Sequence, residues 1–203
     1  MRDWWLRTLL VLQRPRPVFV ALRDSSEESV ADRSEPVLAI VLLAGIALVL
    51  QTSTASTLLD SSDYDGLLVA VWAFLAGGLY ASFGYWIAGA FLFWGGRLLG
   101  SQGDYRRARH VLAFASVPIA LSLLIWPVKL ALYGEDVFRT GGRDSGTGGR
   151  IFDTLELACV AWALVLLVIG VRSVHGWTWE RALAACALGL GVPVALGLAV
   201  SYL

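Results

Sequence analysis

Long apolar stretches separated by short polar segments dominate the sequence from residue 36 onward. About 20 apolar residues are enough to cross the hydrocarbon core of a bilayer as an α-helix. The pattern therefore predicts an all-α membrane protein, a bundle of five transmembrane helices preceded by a short N-terminal amphipathic helix. The predicted spans are about 36–58, 66–96, 109–132, 153–173 and 180–202.

The second apolar run, 66–96, is longer than one perpendicular span needs, because it corresponds to roughly 46 Å of helix. We interpret it as one long helix, since two crossings would place the arginine clusters on opposite sides of the membrane. Small residues four apart let a second helix approach closely. In this run they are Gly78/Ser82 and Gly84/Ala88.

Residues 1–35 are predicted to form a cytoplasmic N-terminal region, separate from a membrane domain at 36–203. Tryptophans and leucines alternate with arginines in 1–23, which is typical of a short helix that lies in the membrane interface. Pro15 and Pro17 are expected to end that helix.

Residues 24–35 are polar and offer little to bury, so we predict an exposed linker. Ser34 is then well placed to cap the first span, with Pro36 in its first turn.

The later spans carry their own signals. Pro118 and Pro127 predict a bend in the third span. Asp153 and Glu156 are interpreted as first-turn residues of the fourth span, near the outer interface. In the fifth span small residues recur every four positions and predict a face for close packing, within the bundle or between protomers. They are Ala185, Gly189, Pro193, Gly197 and Ser201.

A short polar connection between the second and third spans concentrates positive charge. Asp104 in this connection is suited to cap the helix that begins at Tyr105. Moving the loop across a bilayer would be costly, so it should stay in the cytoplasm. Its basic side chains are candidate contacts for a partner or for lipid headgroups, beside the simpler role of fixing topology. The candidates are Arg97, Arg106, Arg107, Arg109 and His110.

Counting basic residues on each side of the predicted spans favours a cytoplasmic N-terminus and an outer C-terminus in the cell membrane. The inner set is Arg2, Arg7, Arg14, Arg16, Arg23, Arg33, Arg97, Arg106, Arg107, Arg109, Arg172 and Arg181. The outer set is Lys129, Arg139, Arg143 and Arg150.

Composition supports the membrane assignment, because 57% of residues are hydrophobic and only 16% are charged. The formal net charge is zero, and we expect the bilayer, not a nucleic acid, to be the main partner. Cys159 and Cys186 lie inside apolar runs far apart in sequence, so we expect packing rather than a disulfide.

Lys129 and Glu156 are a candidate ion pair between the outer ends of the third and fourth helices. The pair is either buried or interfacial. We favour the interfacial arrangement, because a lysine stem can extend toward water and Glu156 follows a hydrophilic loop closely.

No set of residues predicts catalysis, a metal or a cofactor, and we expect no enzyme. His110 and His175 lie near the same face, but two histidines without a carboxylate or thiolate pair make a poor metal site.

Three stretches together resemble the Yip family, the Ypt/Rab-interacting membrane proteins and their prokaryotic relatives. They are RPRPVFVALRD at 14–24, LLGSQGDYRRARHVLAFASVP at 98–118 and WALVLLVIGVRSVHGWTWERAL at 162–183. The resemblance implies a five-helix membrane domain with a cytoplasmic N-terminus. For eukaryotic relatives it also implies a link to small GTPases and vesicle traffic, which we do not carry over to this chain.

These observations predict a non-enzymatic multi-pass membrane protein that organises or binds membrane components through its arginine-rich loop, and that has small-residue faces available for a homo-oligomer or a membrane-protein partner. The alternative is a small transporter or channel, in which polar residues of several spans would face one cavity. Those residues are Gln51, Ser82, Ser116, Ser122 and Glu156.

Overall fold

The computed structural model describes residues 2–61 and 65–191, and this part of the chain is helical with no β-strand. The α-helices are α1 (Arg2–Leu10), α2 (Pro15–Ala21), α3 (Glu27–Leu50), α4 (Gly66–Leu98), α5 (Tyr105–Ala115), α6 (Val117–Ser122), α7 (Trp126–Tyr133), α8 (Thr147–His175) and α9 (Trp179–Cys186). Short 3₁₀ segments cover Ala55–Asp60, Leu123–Ile125, Gly134–Phe138 and Arg143–Ser145, and a π-helical turn covers Ala187–Gly191.

Four helical segments of the described chain are long and apolar enough to cross a membrane. They are Glu27–Leu50, Gly66–Leu98, Tyr105–Phe138 and Thr147–His175. The fifth predicted span, 180–202, begins here with α9 and the π-helical turn. Residues 192–203, and with them Pro193, Gly197 and Ser201, lie outside the described residues.

The first long helix starts earlier than the sequence pattern predicted. Ser26 caps it, accepting a hydrogen bond from the Ser29 backbone N–H at 3.3 Å, and Glu27 and Glu28 lie in the first turn, where the helix dipole favours negative charge. Most of the expected linker at 24–35 is therefore helix.

The two prolines after α1 and the serine before Pro36 also differ from expectation. Pro15 and Pro17 were expected to end the N-terminal helix, but α1 already ends at Leu10, and Pro15 begins α2, where its missing N–H costs nothing. Ser34 does not cap a helix, because its hydroxyl donates to the Ala31 carbonyl inside α3. Pro36 is a buried residue in the interior of α3.

The run after residue 65 forms one uninterrupted helix, α4, as predicted. It packs on α3 through small residues. A Cβ atom added to Gly45 would collide with the Gly77 carbonyl and the Ala81 side chain, and one added to Gly77 would lie 2.7 Å from the Ile46 Cα. Gly78, one of the small residues singled out from the sequence, also faces α3, because a Cβ atom added to it would lie 3.6 Å from Leu42 Cδ1, whereas a Cβ atom added to Gly84 would meet no atom within 4 Å.

The third membrane segment is broken, as its prolines predicted. It consists of α5, α6 and α7, and Pro118 and Pro127 lie in the first turns of α6 and α7. The fourth segment begins at Thr147, so Asp153 and Glu156 lie beyond its first turn, contrary to our interpretation.

Two groups of buried apolar residues hold the bundle. The larger group includes Phe19, Leu22, Phe114 and Leu166, and joins α2, α5 and α8. The smaller group surrounds the stacked rings of Trp126 and Phe138, whose centroids are 5.8 Å apart. Large apolar side chains along α4 remain uncovered by protein, and we assign this face to the lipid. They include Leu67, Leu75, Leu79 and Phe83.

Candidate interaction surface at the arginine-rich end

Helix ends meet at two opposite ends of the bundle. The arginine-rich end contains α1, α2, the start of α3, the connection between α4 and α5, and the turn between α8 and α9. The opposite end, here called the loop end, contains the 3₁₀ segments between α3 and α4 and between α7 and α8.

Arg33 is the largest fully buried side chain at the arginine-rich end, with only 2% of its surface exposed. Its Nε donates to His110 Nδ1 at 2.9 Å, and one terminal nitrogen donates to the Asp24 carbonyl at 2.8 Å. Since Nδ1 accepts this bond, the neutral His110 ring carries its proton on Nε2. The Trp4 ring covers the guanidinium at 5.6 Å. The Arg33 guanidinium thus links α3 to Trp4 of α1 and to His110 of α5.

The segment before α3 is ordered by the same network. The Ser26 backbone N–H and hydroxyl hold the pKa of the Asp24 carboxyl below its ordinary value, because both donate to the charged form. Asp24 therefore stays ionised at neutral pH while its backbone carbonyl accepts from Arg33.

Among the described residues of this end, three arginines hydrogen-bond to backbone carbonyls that lie more than 80 residues away in the sequence. Arg23 donates to the Ser173 and Val174 carbonyls at 2.5 and 3.0 Å, which are among the last carbonyls of α8. Arg181 donates to the Leu99 carbonyl at the end of α4. Carbonyls in a last helical turn lack partners within their own helix, so a cation there satisfies both the bond and the dipole.

Arg107 is the third of these arginines, and the α4–α5 connection beside it is fixed in place. Arg107 donates to the Arg23 carbonyl at 3.1 Å. Asp104 caps α5 as predicted, accepting from the Arg107 backbone N–H at 2.6 Å. Ser101 Oγ accepts from the Gly103 N–H at 3.0 Å and lies 3.4 Å from His175 Nδ1. A firmly held loop can present side chains in fixed positions.

Arg109 lies against aromatic rings instead of carboxylates. Its guanidinium carbon is 3.6 Å from the centroid of the Trp86 ring, 4.7 Å from Tyr105 and 5.1 Å from Tyr85. Its Nε is buried without a hydrogen-bond acceptor in the described chain. Such a cation–π arrangement keeps the charge but leaves its hydrogen-bonding capacity unused.

The structure distributes the five predicted contact residues over three environments. Arg97 and Arg106 are exposed, and Arg107 and Arg109 are partly buried. His110 is only 6% exposed and lies against Arg33, so it is not part of the surface proposed below. Neither Arg97 nor Arg106 has a carboxylate within ion-pair distance among the described residues.

Lys129 and Glu156, the second predicted site, lie at the loop end. Lys129 Nζ is 3.4 Å from Glu156 Oε1, and each residue is 5% exposed. A second carboxylate, Asp153, lies 3.7 Å from the ammonium and is open to the outside. Lys129 Nζ lies 4.6 Å from the centroid of the Trp126 ring, so the side chain points inward where we had expected it to extend toward water.

The two histidines do not meet, since His110 bonds to Arg33 and His175 stacks on Trp177 at 4.4 Å. The described ranges contain no group of three His, Cys, Asp or Glu residues placed to hold a metal ion.

Sequence reasoning overlooked the structural role of Arg33, Arg23 and Arg181, which it had counted only as topological charges. The signal for Arg33 was Ser26 followed by two glutamates, a helix start that places Arg33 inside α3. No signal in the sequence marked the carbonyls that Arg23 and Arg181 bind, because those bonds span 151 and 82 residues.

Apolar helices of spanning length, with arginine concentrated at one end, define the class of multi-pass helical membrane proteins. Within that class, the family model for the Yip1 domain matches residues 9–202, and the chain belongs to this family. The resemblance drawn from the three sequence stretches is thereby confirmed. The comparisons found no matching curated protein and no matching solved structure.

Proposed function

We propose that this Yip1-family membrane protein is non-enzymatic and that it binds other membrane components through Arg97, Arg106, Arg107 and Arg109, here called the arginine surface. One observation carries the proposal. Arg97 and Arg106 are exposed cations without a carboxylate partner in the described chain, and they lie in the helix turns on either side of the α4–α5 connection, which internal hydrogen bonds hold firmly.

The arginine surface suits an anionic ligand for two reasons. Guanidinium groups bind phosphate and carboxylate through paired N–H donors. A preorganised surface also loses less conformational entropy when it binds than a flexible loop does.

The alternative of a transporter or channel has weaker support. Among the described residues, Gln51 and Ser122 are hydrogen-bonded at 3.2 Å, whereas Glu156 pairs with Lys129 and Ser82 is exposed on α4. The polar side chains that would have to share one cavity are therefore dispersed.

The test is co-purification from native membranes in mild detergent, with proteins and lipids quantified by mass spectrometry. We expect the double variant Arg97→Gln/Arg106→Gln to lower recovery of bound components about tenfold, because charge-assisted hydrogen bonds are lost. The matched control is Arg139→Gln/Arg150→Gln, which removes two exposed charges at the loop end. Equal recovery with both double variants would refute the proposal.

A further inference from the structure

Among the described residues, two adjoining cavities lie beside α3 and α4. The first, here called the head cavity, has a volume of about 240 Å³ and lies at the arginine-rich end, lined by Ser34, Val37, Tyr85, Arg106 and Arg109 among others. The second, here called the tail groove, has a volume of about 550 Å³ and an apolar wall that includes Leu48, Tyr80, Gly84, Ala88 and Leu164. Val41 and Tyr85 line both, so the two cavities adjoin each other.

We propose that these two adjoining cavities form one site for an anionic phospholipid, with its phosphate at Arg106 and Arg109 and an acyl chain along the tail groove. The proposal deepens the proposed function, since it gives part of the arginine surface a ligand class.

The charges at the head cavity are complementary to a phosphate. Arg106 is exposed and makes no ion pair with a described residue, and Arg109 Nε is buried without an acceptor. The aromatic rings around Arg109 fix its position but do not neutralise it. A phosphate oxygen would supply the acceptor that these guanidinium groups lack.

The length of the site matches one leaflet. From Ser34 at the head cavity to Leu48 in the tail groove, α3 advances about 21 Å. Half of a bilayer, headgroups included, measures about 20–22 Å. A diacyl lipid whose phosphate lies beside Arg106 would therefore reach the far part of the groove with its acyl chain.

Native mass spectrometry of the detergent-purified protein tests the proposal. The probes are palmitoyl-oleoyl phosphatidylglycerol, the zwitterionic phosphatidylcholine with the same chains, and sn-glycerol 3-phosphate as the free headgroup. We expect one phosphatidylglycerol to bind about tenfold more tightly than phosphatidylcholine, and glycerol 3-phosphate not to compete. Equal binding of the two lipids, or competition by the free headgroup, would overturn the proposal.

Two variants test the head cavity and the tail groove separately. Arg106→Gln, at an exposed position, should lower phosphatidylglycerol affinity about tenfold. Gly84→Leu should lower it as well, because Gly84 lines the groove, a Cβ atom added to it would meet no atom within 4 Å, and the new side chain would fill the groove. The control for the tail is Ser82→Leu, on the same helix but outside the groove, and the control for the head is Arg139→Gln. Unchanged affinity in either test variant, or an equal loss in its control, would contradict the site.

Gly84→Leu also distinguishes this inference from the proposed function, because it leaves every arginine in place. If it abolishes lipid binding while co-purification still depends on Arg97 and Arg106, both proposals stand. If lipid binding does not respond to Arg106→Gln or Gly84→Leu but co-purification responds to the arginine variant, the lipid site is wrong and the proposed function remains. If lipid binding follows the groove variants and co-purification ignores the arginines, the lipid site stands and the proposed function is refuted.

Discussion

At the scale of single residues, the enclosed pair of Lys129 and Glu156 is the most consequential feature of the loop end. Both side chains are buried, so the structure favours the buried arrangement of the pair over the interfacial one. Removing one partner of a buried pair leaves a charge without compensation and costs about 3–5 kcal/mol, whereas an exposed pair contributes about 0–1 kcal/mol.

We therefore expect Lys129→Met, which leaves the buried Glu156 carboxylate unpaired, to lower thermal stability in detergent strongly. Glu156→Gln should lower it less, because Asp153 remains 3.7 Å from the Lys129 ammonium, and the double variant should recover much of the Lys129→Met loss. The exposed pair of Arg143 and Asp136, 2.6 Å apart, provides a control of the same charge type. Arg143→Gln should change stability little. Small, additive effects of the two buried-pair variants would show that water reaches the pair.

Single residues also show which features could be predicted from the sequence and which could not. The cap at Asp104 was predictable because a capping aspartate and the helix it caps are adjacent in the chain. The inward direction of Lys129 was not, since it depends on how α7 turns after the 3₁₀ segment at Leu123–Ile125 and on the Trp126 ring, which lies against the ammonium group.

At the scale of helices, the contact between α3 and α4 is set by small residues. Gly45→Ala should destabilise the protein by about 1–3 kcal/mol, because the added methyl group meets the α4 backbone. Gly84→Ala, on α4 but in open space, should leave stability unchanged or raise it by up to about 1 kcal/mol. Thermal unfolding in detergent measures both. Tolerance of alanine at Gly45 would mean that the two helices are farther apart than described.

The positions of the helices along the chain were more predictable than the helix faces that pack against each other. Hydropathy predicts four of the spanning segments because each run is long and apolar. The sequence did not show which small residues of α4 meet α3, since several are available and only the partner helix decides which are used: Gly77 meets Ile46, whereas Gly84 faces open space. The fifth predicted span also has a face of small residues. In its described part this face packs within the chain, with Gly189 against Leu92 of α4.

At the scale of the whole molecule, orientation in the membrane is the prediction to check. Burial of Ser101 makes it a poor labelling site, so we choose its exposed neighbour Gln102. After Cys159 and Cys186 are replaced by alanine, Ser145→Cys should react with a membrane-impermeant maleimide in intact cells. Gln102→Cys should react only after permeabilisation. Labelling of position 102 in intact cells would reverse the orientation.

The bonds from Arg23 to the end of α8 set an order of events during synthesis. Arg23 and Ser173 are 150 residues apart. At about 5–20 residues per second, about 8–30 s pass between the appearance of the arginine and that of its acceptor. The N-terminal helices leave the ribosome first, yet they can take their final place only after the fourth spanning helix has been made. A factor that shields Trp4 and Phe19 during this interval would act on the nascent chain and find no such target on the finished protein, where both side chains are buried.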